Sequence, residues 1–238
     1  MVGLGPGDKE FIAPAAIEAI TQAEVIVGYK TYVDLIEDMI SDKQVLSSGM
    51  RQEVARAQVA LEQAIAGKHV AVVSSGDPGV YGMAGILLQL AEEQSLQLQI
   101  DIVPGITAVT VAAAALGAPL MHDFAVISLS DLLTPWDTIC RRLEAAGMAD
   151  FVVAIYNPKS KGRAEHFAAA REILLKHRGA QTPVGIVRNA KRGEESVVVT
   201  TLEDCLDCPI DMLTTVIIGN SETKILNGKI VTPRGYRL

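Results

Sequence analysis

The chain has 238 residues, 49% hydrophobic and 21% charged, which is the composition of a folded globular protein and excludes a disordered one. A formal charge of −7 argues against a general nucleic-acid binder. The most apolar run, 102–121, is interrupted by Pro104, Gly105, Gly117 and Pro119, so its clean stretch of about eleven residues is too short to span a bilayer.

Three cysteines (Cys140, Cys205, Cys208) and the lack of a recognisable signal peptide predict a reducing, cytoplasmic setting. Charge is shared unevenly. Residues 1–122 hold 6 Lys/Arg against 14 Asp/Glu, and residues 123–238 hold 15 against 14. An acidic substrate is better received by the second half, although ordinary surface variation gives the same count.

The first residues read as the tail of a strand entering the turn Gly3-Leu4-Gly5-Pro6-Gly7-Asp8. This is not a dinucleotide fingerprint: Asp8 stands where the third glycine belongs, and no acid follows the next strand, 25–27. Pro14 opens a helix to about Ala23. A second helix runs from Gln52 to Ala66, with Val54, Ala57, Leu61, Ala64 and Ile65 on one face and Gly67 ending it.

The strand 70–73 then stops in Ser74-Ser75-Gly76-Asp77-Pro78-Gly79. Small side chains there let a ligand approach the backbone, and Asp77 stands just past the strand's carboxyl end, where open α/β sheets bind ligands. A tight turn with Asp77 as a helix cap accounts for the stretch equally well. A helix from about Gly82 to Glu93, a strand over 98–103, the turn Pro104-Gly105-Ile106-Thr107-Ala108 and an apolar helix to Leu116 complete the first half. Alternating strands and helices of these lengths predict a parallel sheet with helices on both faces. The three small-residue turns 3–8, 74–79 and 104–108 would then gather on one edge.

Residues 117–122 resemble a linker, so two α/β domains are expected, 1–118 and 119–238. The second carries strands at 124–129, 151–156, 184–188, 196–200 and 214–218. It has helices starting at Thr134-Pro135-Trp136, with Thr134 as cap, and over 163–177. Several strands follow one another without a helix between, which predicts a mixed sheet. Three loops of this half hold candidate chemistry. Tyr156-Asn157-Pro158-Lys159-Ser160-Lys161-Gly162-Arg163 supplies three cations for carboxylates, or is a solvated loop. Ser128-Leu129-Ser130-Asp131 places a carboxylate and two hydroxyls past a strand, or forms a side-chain-capped turn. His122-Asp123 follows the linker, with or without chemistry. Cys205-x-x-Cys208 lacks a second pair or a histidine at zinc spacing, so no metal site is expected. No Walker loop, G-x-S-x-G elbow or H-E-x-x-H is present.

Taken together, Gly3 to Asp8, Ser75-Gly76-Asp77-Pro78, Pro104 to Ala108 and Ser128-Leu129-Ser130-Asp131 resemble the tetrapyrrole methylases, the class III S-adenosylmethionine-dependent methyltransferases. The resemblance covers essentially the whole chain. The stretches 74–84, 130–136, 156–160 and 232–236 are most similar to the family's branch that methylates C17 of precorrin-3B in corrin biosynthesis. The resemblance implies two α/β domains with the methyl donor between them, a homodimer, and methyl transfer accompanied by ring contraction. It places Leu4, Asp77, Val80, Thr107, Ala108, Asn157, Asn189, Ala190 and Thr215 near S-adenosylmethionine. Asn157 departs from the methionine common in relatives. Asp131 and His122 are the candidate acid or base for ring contraction, and Lys159, Lys161, Arg163, Arg188 and Arg192 the candidates for substrate carboxylates. Whether the substrate already holds cobalt is open. So are another tetrapyrrole (uroporphyrinogen-III, precorrin-4) and a binding protein without turnover.

Overall fold

A computed structural model of the protein describes residues 1–160 and 162–237. The chain forms two compact units, 1–108 and 109–238.

The first unit contains β1 (Val2–Gly3), α1 (Pro14–Gln22), β2 (Val25–Tyr29), α2 (Lys30–Val33), β3 (Gln44–Ser48), α3 (Glu53–Ile65), β4 (Val70–Ser74) and α4 (Ala84–Glu93). Its sheet has the order β1-β4-β2-β3, and every pairing is parallel. Strands covered on both faces are apolar throughout: Val25, Ile26 and Val27 are all buried, as are Ala71, Val72 and Val73. One face packs on Ile20, Ile36 and Ile12, the other on Leu61, Ala57 and Leu87. Pro14 stands at the start of α1, as expected.

The predicted strand over 98–103 is reduced to one bridge, Val2 to Val103. Its neighbour β1 is only two residues long, so the ladder has nowhere to extend. The edge strand β3 was not predicted. Its sequence, Gln-Val-Leu-Ser-Ser, is mostly exposed and carries no apolar run.

The second unit contains α5 (Ala108–Leu116), β5 (Gly117–Ala118), β6 (Phe124–Ser128), α6 (Trp136–Met148), β7 (Val152–Tyr156), α7 (His166–Leu175), β8 (Pro183–Arg188), β9 (Ser196–Thr201), β10 (Thr214–Ile218), β11 (Lys224–Leu226) and β12 (Lys229–Val231). Five strands form a mixed sheet in the order β6-β7-β10-β8-β9. Only β6–β7 is a parallel pair; β10 runs antiparallel to both its neighbours, and β9 antiparallel to β8. The helices α6 and α7 cover one face through Ile139, Leu143, Phe167 and Leu174. The apolar α5 lies on the other, against Val152, Ala154, Val187 and Ile217, so this helix packs with the second unit. Leu116 fills the space at Gly185, where an added methyl group would come within 2.2 Å of Leu116 Cδ1. The hairpin β11–β12 turns at Asn227-Gly228, both in the left-handed region (φ 50° and 76°), and joins β5 in parallel.

Two helix starts differ from expectation. The amino-terminal cap of α6 is Pro135 rather than Thr134, and the backbone N–H groups of Thr138 and Ile139 donate to its carbonyl at 2.9 and 3.2 Å. The helix expected from Arg163 begins at His166. Ser160 and Arg163 exchange backbone hydrogen bonds at 3.1 and 3.4 Å, which keeps both out of the helix.

Candidate functional site

The three glycine-rich turns of the first unit meet. Gly5 and Gly76 exchange backbone hydrogen bonds, 3.2 Å from Gly5 N to Gly76 O and 2.7 Å in return. Gly105 packs against both other turns: a methyl group on it would lie 2.1 Å from Gly76 O and 2.8 Å from Gly3 C. A methyl group on Gly3 would come within 2.7 Å of Gly105 N. These are backbone-to-backbone approaches that only glycine permits. Gly5 and Gly76 also adopt positive φ, 66° and 65°.

Asp77 ties the arrangement together. Its Oδ1 accepts from Gly79 N at 2.8 Å, and its Oδ2 accepts from Gly105 N at 3.0 Å across 28 positions of sequence. The carboxylate thus closes its own turn and clamps a second one, but it caps no helix: α4 starts at Ala84, with Met83 at its amino-terminal cap. Asp77→Asn keeps one acceptor oxygen and turns an N–H toward whichever backbone N–H loses its partner. The expected cost is roughly 1–3 kcal/mol, read as a lower midpoint in urea denaturation with an unchanged slope.

The remaining residues of the first unit take different positions. Leu4 is fully buried in the core, with its N–H donating to Ser74 O at 2.8 Å, so its side chain serves the core. Val80 is partly exposed at the turn and donates its N–H to Asp77 O at 3.2 Å. Thr107 and Ala108 follow Gly105 in the third turn, and Thr107 Cα would be 3.8 Å from a methyl group on Gly76. Tyr81, next to Val80 in the chain, holds φ 54°, a strained conformation for an aromatic residue that such sites collect.

A second edge gathers in the other unit. β6, β7 and β8 point the same way, and β10 runs against them, pairing Thr214 with Arg188. One edge therefore carries the ends of β6, β7 and β8 and the starts of β9 and β10, with Asp131, Asn157, Asn189, Ala190, Thr215 and Arg188 on it. Asn157 and Asn189 both have φ 52°, a conformation asparagine tolerates better than most residues. Asn157 Nδ2 donates to Ser128 Oγ at 2.9 Å, and that oxygen also accepts from Ser130 N at 3.2 Å. Asparagine at 157 thus pins one strand-end loop to the next. Thr215 is buried within β10, and Ala190 packs against the α5 face.

The cations differ in their engagement. Arg188 Nε donates to Asp211 Oδ2 at 2.7 Å. Burial raises the Asp211 carboxyl, but the hydrogen bonds from Arg188, Leu213 N and Thr214 outweigh it and hold it below the usual range. Arg163 is 9% exposed; its Nε donates to Ser160 Oγ at 3.1 Å, and its Nη1 is buried without a partner. Lys159 is exposed and Arg192 half-buried in their loops. Lys161 lies outside the described residues.

His122 is not brought to this edge. It precedes β6, so the five residues of that strand, roughly 16 Å at 3.3 Å each, separate it from the loop of Asp131. Its Nδ1 accepts from Asp123 N at 2.8 Å. The histidine that does reach Asp131 is His166, with Nε2 at 3.1 Å from Oδ2. Its ring also packs on Trp136, centroids 4.2 Å apart. Sequence reasoning missed it because a helix from Arg163 places it inside that helix rather than at its start.

Cys205 is buried, donates its thiol to Leu202 O at 3.4 Å, and is pushed up to about 11 by burial, so it is a core residue rather than a reactive thiolate. Among the described residues no group of three or more His, Cys, Asp or Glu could hold a metal ion, and no helix is long and apolar enough to cross a membrane.

Comparison with known proteins agrees with this geometry. The family model described as Tetrapyrrole (Corrin/Porphyrin) Methylases matches residues 1–206. A protein of Salmonella typhimurium named "Probable cobalt-factor III C(17)-methyltransferase" is 50% identical over 238 residues, which is 100% of this chain and 99% of that one. The "Cobalt-factor III methyltransferase" of Priestia megaterium is 51% identical over 241 residues, and there the chain spans 45% of the relative's length. The crystal structure of "the methyltransferase CobJ" superposes with a TM-score of 0.91 at 39% identity, over 98% of each chain. Converging glycine turns, a second strand-end edge and a match over most of the chain place this protein among the tetrapyrrole methylases.

Proposed function

We propose that the protein transfers a methyl group from S-adenosylmethionine to C17 of cobalt-factor III or its metal-free counterpart precorrin-3B, with ring contraction, in cobalamin biosynthesis. The observation that carries this is the meeting of the 3–8, 74–79 and 104–108 turns, in a chain half identical to proteins named for that reaction. The donor is a sulfonium with no phosphate. A notch made of backbone groups and acidic side chains suits it, where a pyrophosphate would need a cationic or amide-rich loop. Glycines whose Cβ positions are already filled by neighbouring backbone fix that notch before any ligand arrives. Rigid placement matters because aligning two reactants supplies on the order of 7–11 kcal/mol in well-oriented systems.

In this reading Leu4, Asp77, Val80, Thr107 and Ala108 hold the donor from the first unit, and Asn157, Asn189, Ala190 and Thr215 from the second. Lys159, Arg163, Arg188 and Arg192 receive the substrate's carboxylates. Asp131 handles the proton, and the protein works as a cytoplasmic homodimer, as the family resemblance implies.

The test is incubation with donor labelled in its methyl group and a panel of tetrapyrroles. Label at C17 of the ring-contracted product is the expected result. Label at C2 and C7, or at C11, assigns the chain to another methylase of the family. Binding of the donor without demethylation makes it a carrier.

A further inference from the structure

We propose that His166 is a positioning residue for Asp131, holding its carboxylate ionised and aimed as the acceptor of the proton released by methyl transfer. The inference rests on the reading of the protein as a C-methylase. Moving a methyl group from a sulfonium to a ring carbon leaves a neutral sulfide and one added positive charge on the macrocycle. The new carbon–carbon bond uses an electron pair of the conjugated ring, so one proton must leave the macrocycle to restore balance. A carboxylate at the substrate edge takes it without any further reactant.

Three observations single out this pair. The first is direct contact: Nε2 of His166 lies 3.1 Å from Asp131 Oδ2. An ionised carboxylate only accepts, so Nε2 carries the hydrogen and donates it. The second is restraint on the histidine. Its ring packs on Trp136 at 4.2 Å between centroids, tilted by 59°, and its side chain is 19% exposed. Ser160 and Arg163 are bonded to each other through their backbones ahead of α7, and His166 stands at that helix's first position. The dipole at that end of a ten-residue helix favours an anion beside it. The third is the charge balance around Asp131. Burial raises the Asp131 carboxyl, but the His166 hydrogen bond, with the hydrogen bond from the backbone at Asp131 and the nearby Arg163 charge, brings it below the usual range. Asp131 remains open to a reactant, with 36% of its side chain exposed.

Among the described residues the other candidates are engaged elsewhere. Arg163 donates to Ser160, and Arg188 already has Asp211. His122 faces its neighbour Asp123 at the other end of β6.

The experiment compares the wild type with His166→Ala, His166→Gln and Asp131→Asn. Two readouts are used: the Asp131 carboxyl titration by carbon NMR of the free protein, and the pH dependence of kcat with cobalt-factor III and S-adenosylmethionine. His166→Ala should raise the Asp131 titration, move the acid limb of kcat in the same direction, and lower kcat about 10-fold to 100-fold, with the donor's KM unchanged. His166→Gln restores a neutral donor and should recover most of the rate. Asp131→Asn should remove the acid limb. If the NMR titration rises while the acid limb stays put, the pair is structural and the proposal is overturned, with the methylase reading intact. An acid limb that survives Asp131→Asn overturns it as well. Should His166→Ala fail to fold, the glutamine variant decides: unchanged titration and rate support the role of a neutral donor, and a rate as low as that of Asp131→Asn refutes it. A wild-type protein that methylates none of the tetrapyrroles defeats the methylase reading itself, before any variant is compared.

Discussion

Replacing Arg178 by methionine is expected to destabilise the second unit by roughly 3–5 kcal/mol, the range for removing one partner from a buried ionic network. Its side chain is 1% exposed. The guanidinium donates to Gly147 O and Phe151 O, each at 2.7 Å, and to Gly219 O at 3.2 Å, and it pairs with Asp150 Oδ1 at 2.9 Å. The end of α6, the start of β7 and the end of β10 therefore converge on one cation. Burial lowers the guanidinium from its ordinary value, and Asp150 opposes that shift only in part; an arginine still stays charged there. Methionine retains the stem but takes the guanidinium donor away from three carbonyls, of which Gly147 O still accepts from Asp150 N at 3.1 Å. Asp150 loses less, since it is 42% exposed and also accepts from Ser221 N and Oγ at 3.1 and 2.6 Å. Arg178→Lys should cost about half as much, because an ammonium is a single point of charge and does not span the carbonyls as a planar fork does. Urea denaturation checks both, a shift in midpoint at constant slope being the signature of lost stability. A methionine variant within 1 kcal/mol of the wild type would show that water satisfies those carbonyls.

Gly105→Ala carries the second large effect. The added methyl group would stand 2.1 Å from Gly76 O and 2.8 Å from Gly3 C, and neither is a flexible side chain that could swing aside. Overpacking of this kind costs about 1–3 kcal/mol and more where nothing yields; about 3 kcal/mol is expected here. The turns relieve the collision by separating, which lengthens the Gly105 N to Asp77 Oδ2 bond. A displacement of about 1 Å at a positioned site costs roughly 100-fold in rate, so methyl transfer should slow by about that factor, with weaker binding of the demethylated donor in isothermal titration. Gly85→Ala is the control. Its Cβ position is open, it lies within α4, and alanine there should stabilise by about 0.5–1 kcal/mol. Loss of donor affinity in Gly85→Ala as well would mean that the titration reports general damage rather than the notch.

The turns themselves were legible in the sequence because their chemistry is local. Glycine, proline and aspartate at 3–8, 74–79 and 104–108 announce a break in the chain, and the alternation of strands and helices places all three on one edge. The division of labour at Asp77 was not legible. One oxygen serves Gly79, two positions away, but the other serves Gly105, and no local rule connects those residues. His166 escaped for a related reason. Its neighbours read as helix, but Ser160 and Arg163 are bonded to each other ahead of α7, and His166 stands at that helix's first position, beside Asp131. The closing hairpin at Asn227-Gly228 carries a local turn signal that the sequence reading passed over, and its partner β5 is two residues that read as a linker.

The strand at the centre of the second sheet is β10, and it is the last of the five to be synthesised. Until residues 214–218 leave the ribosome, β7 and β8 have no common neighbour and each offers an unpaired edge to other chains. Closure of this half is thus a late, non-local event. A product shortened to the residues that the family model matches would leave the sheet split down its middle, and aggregation rather than weak activity is what such a fragment would display.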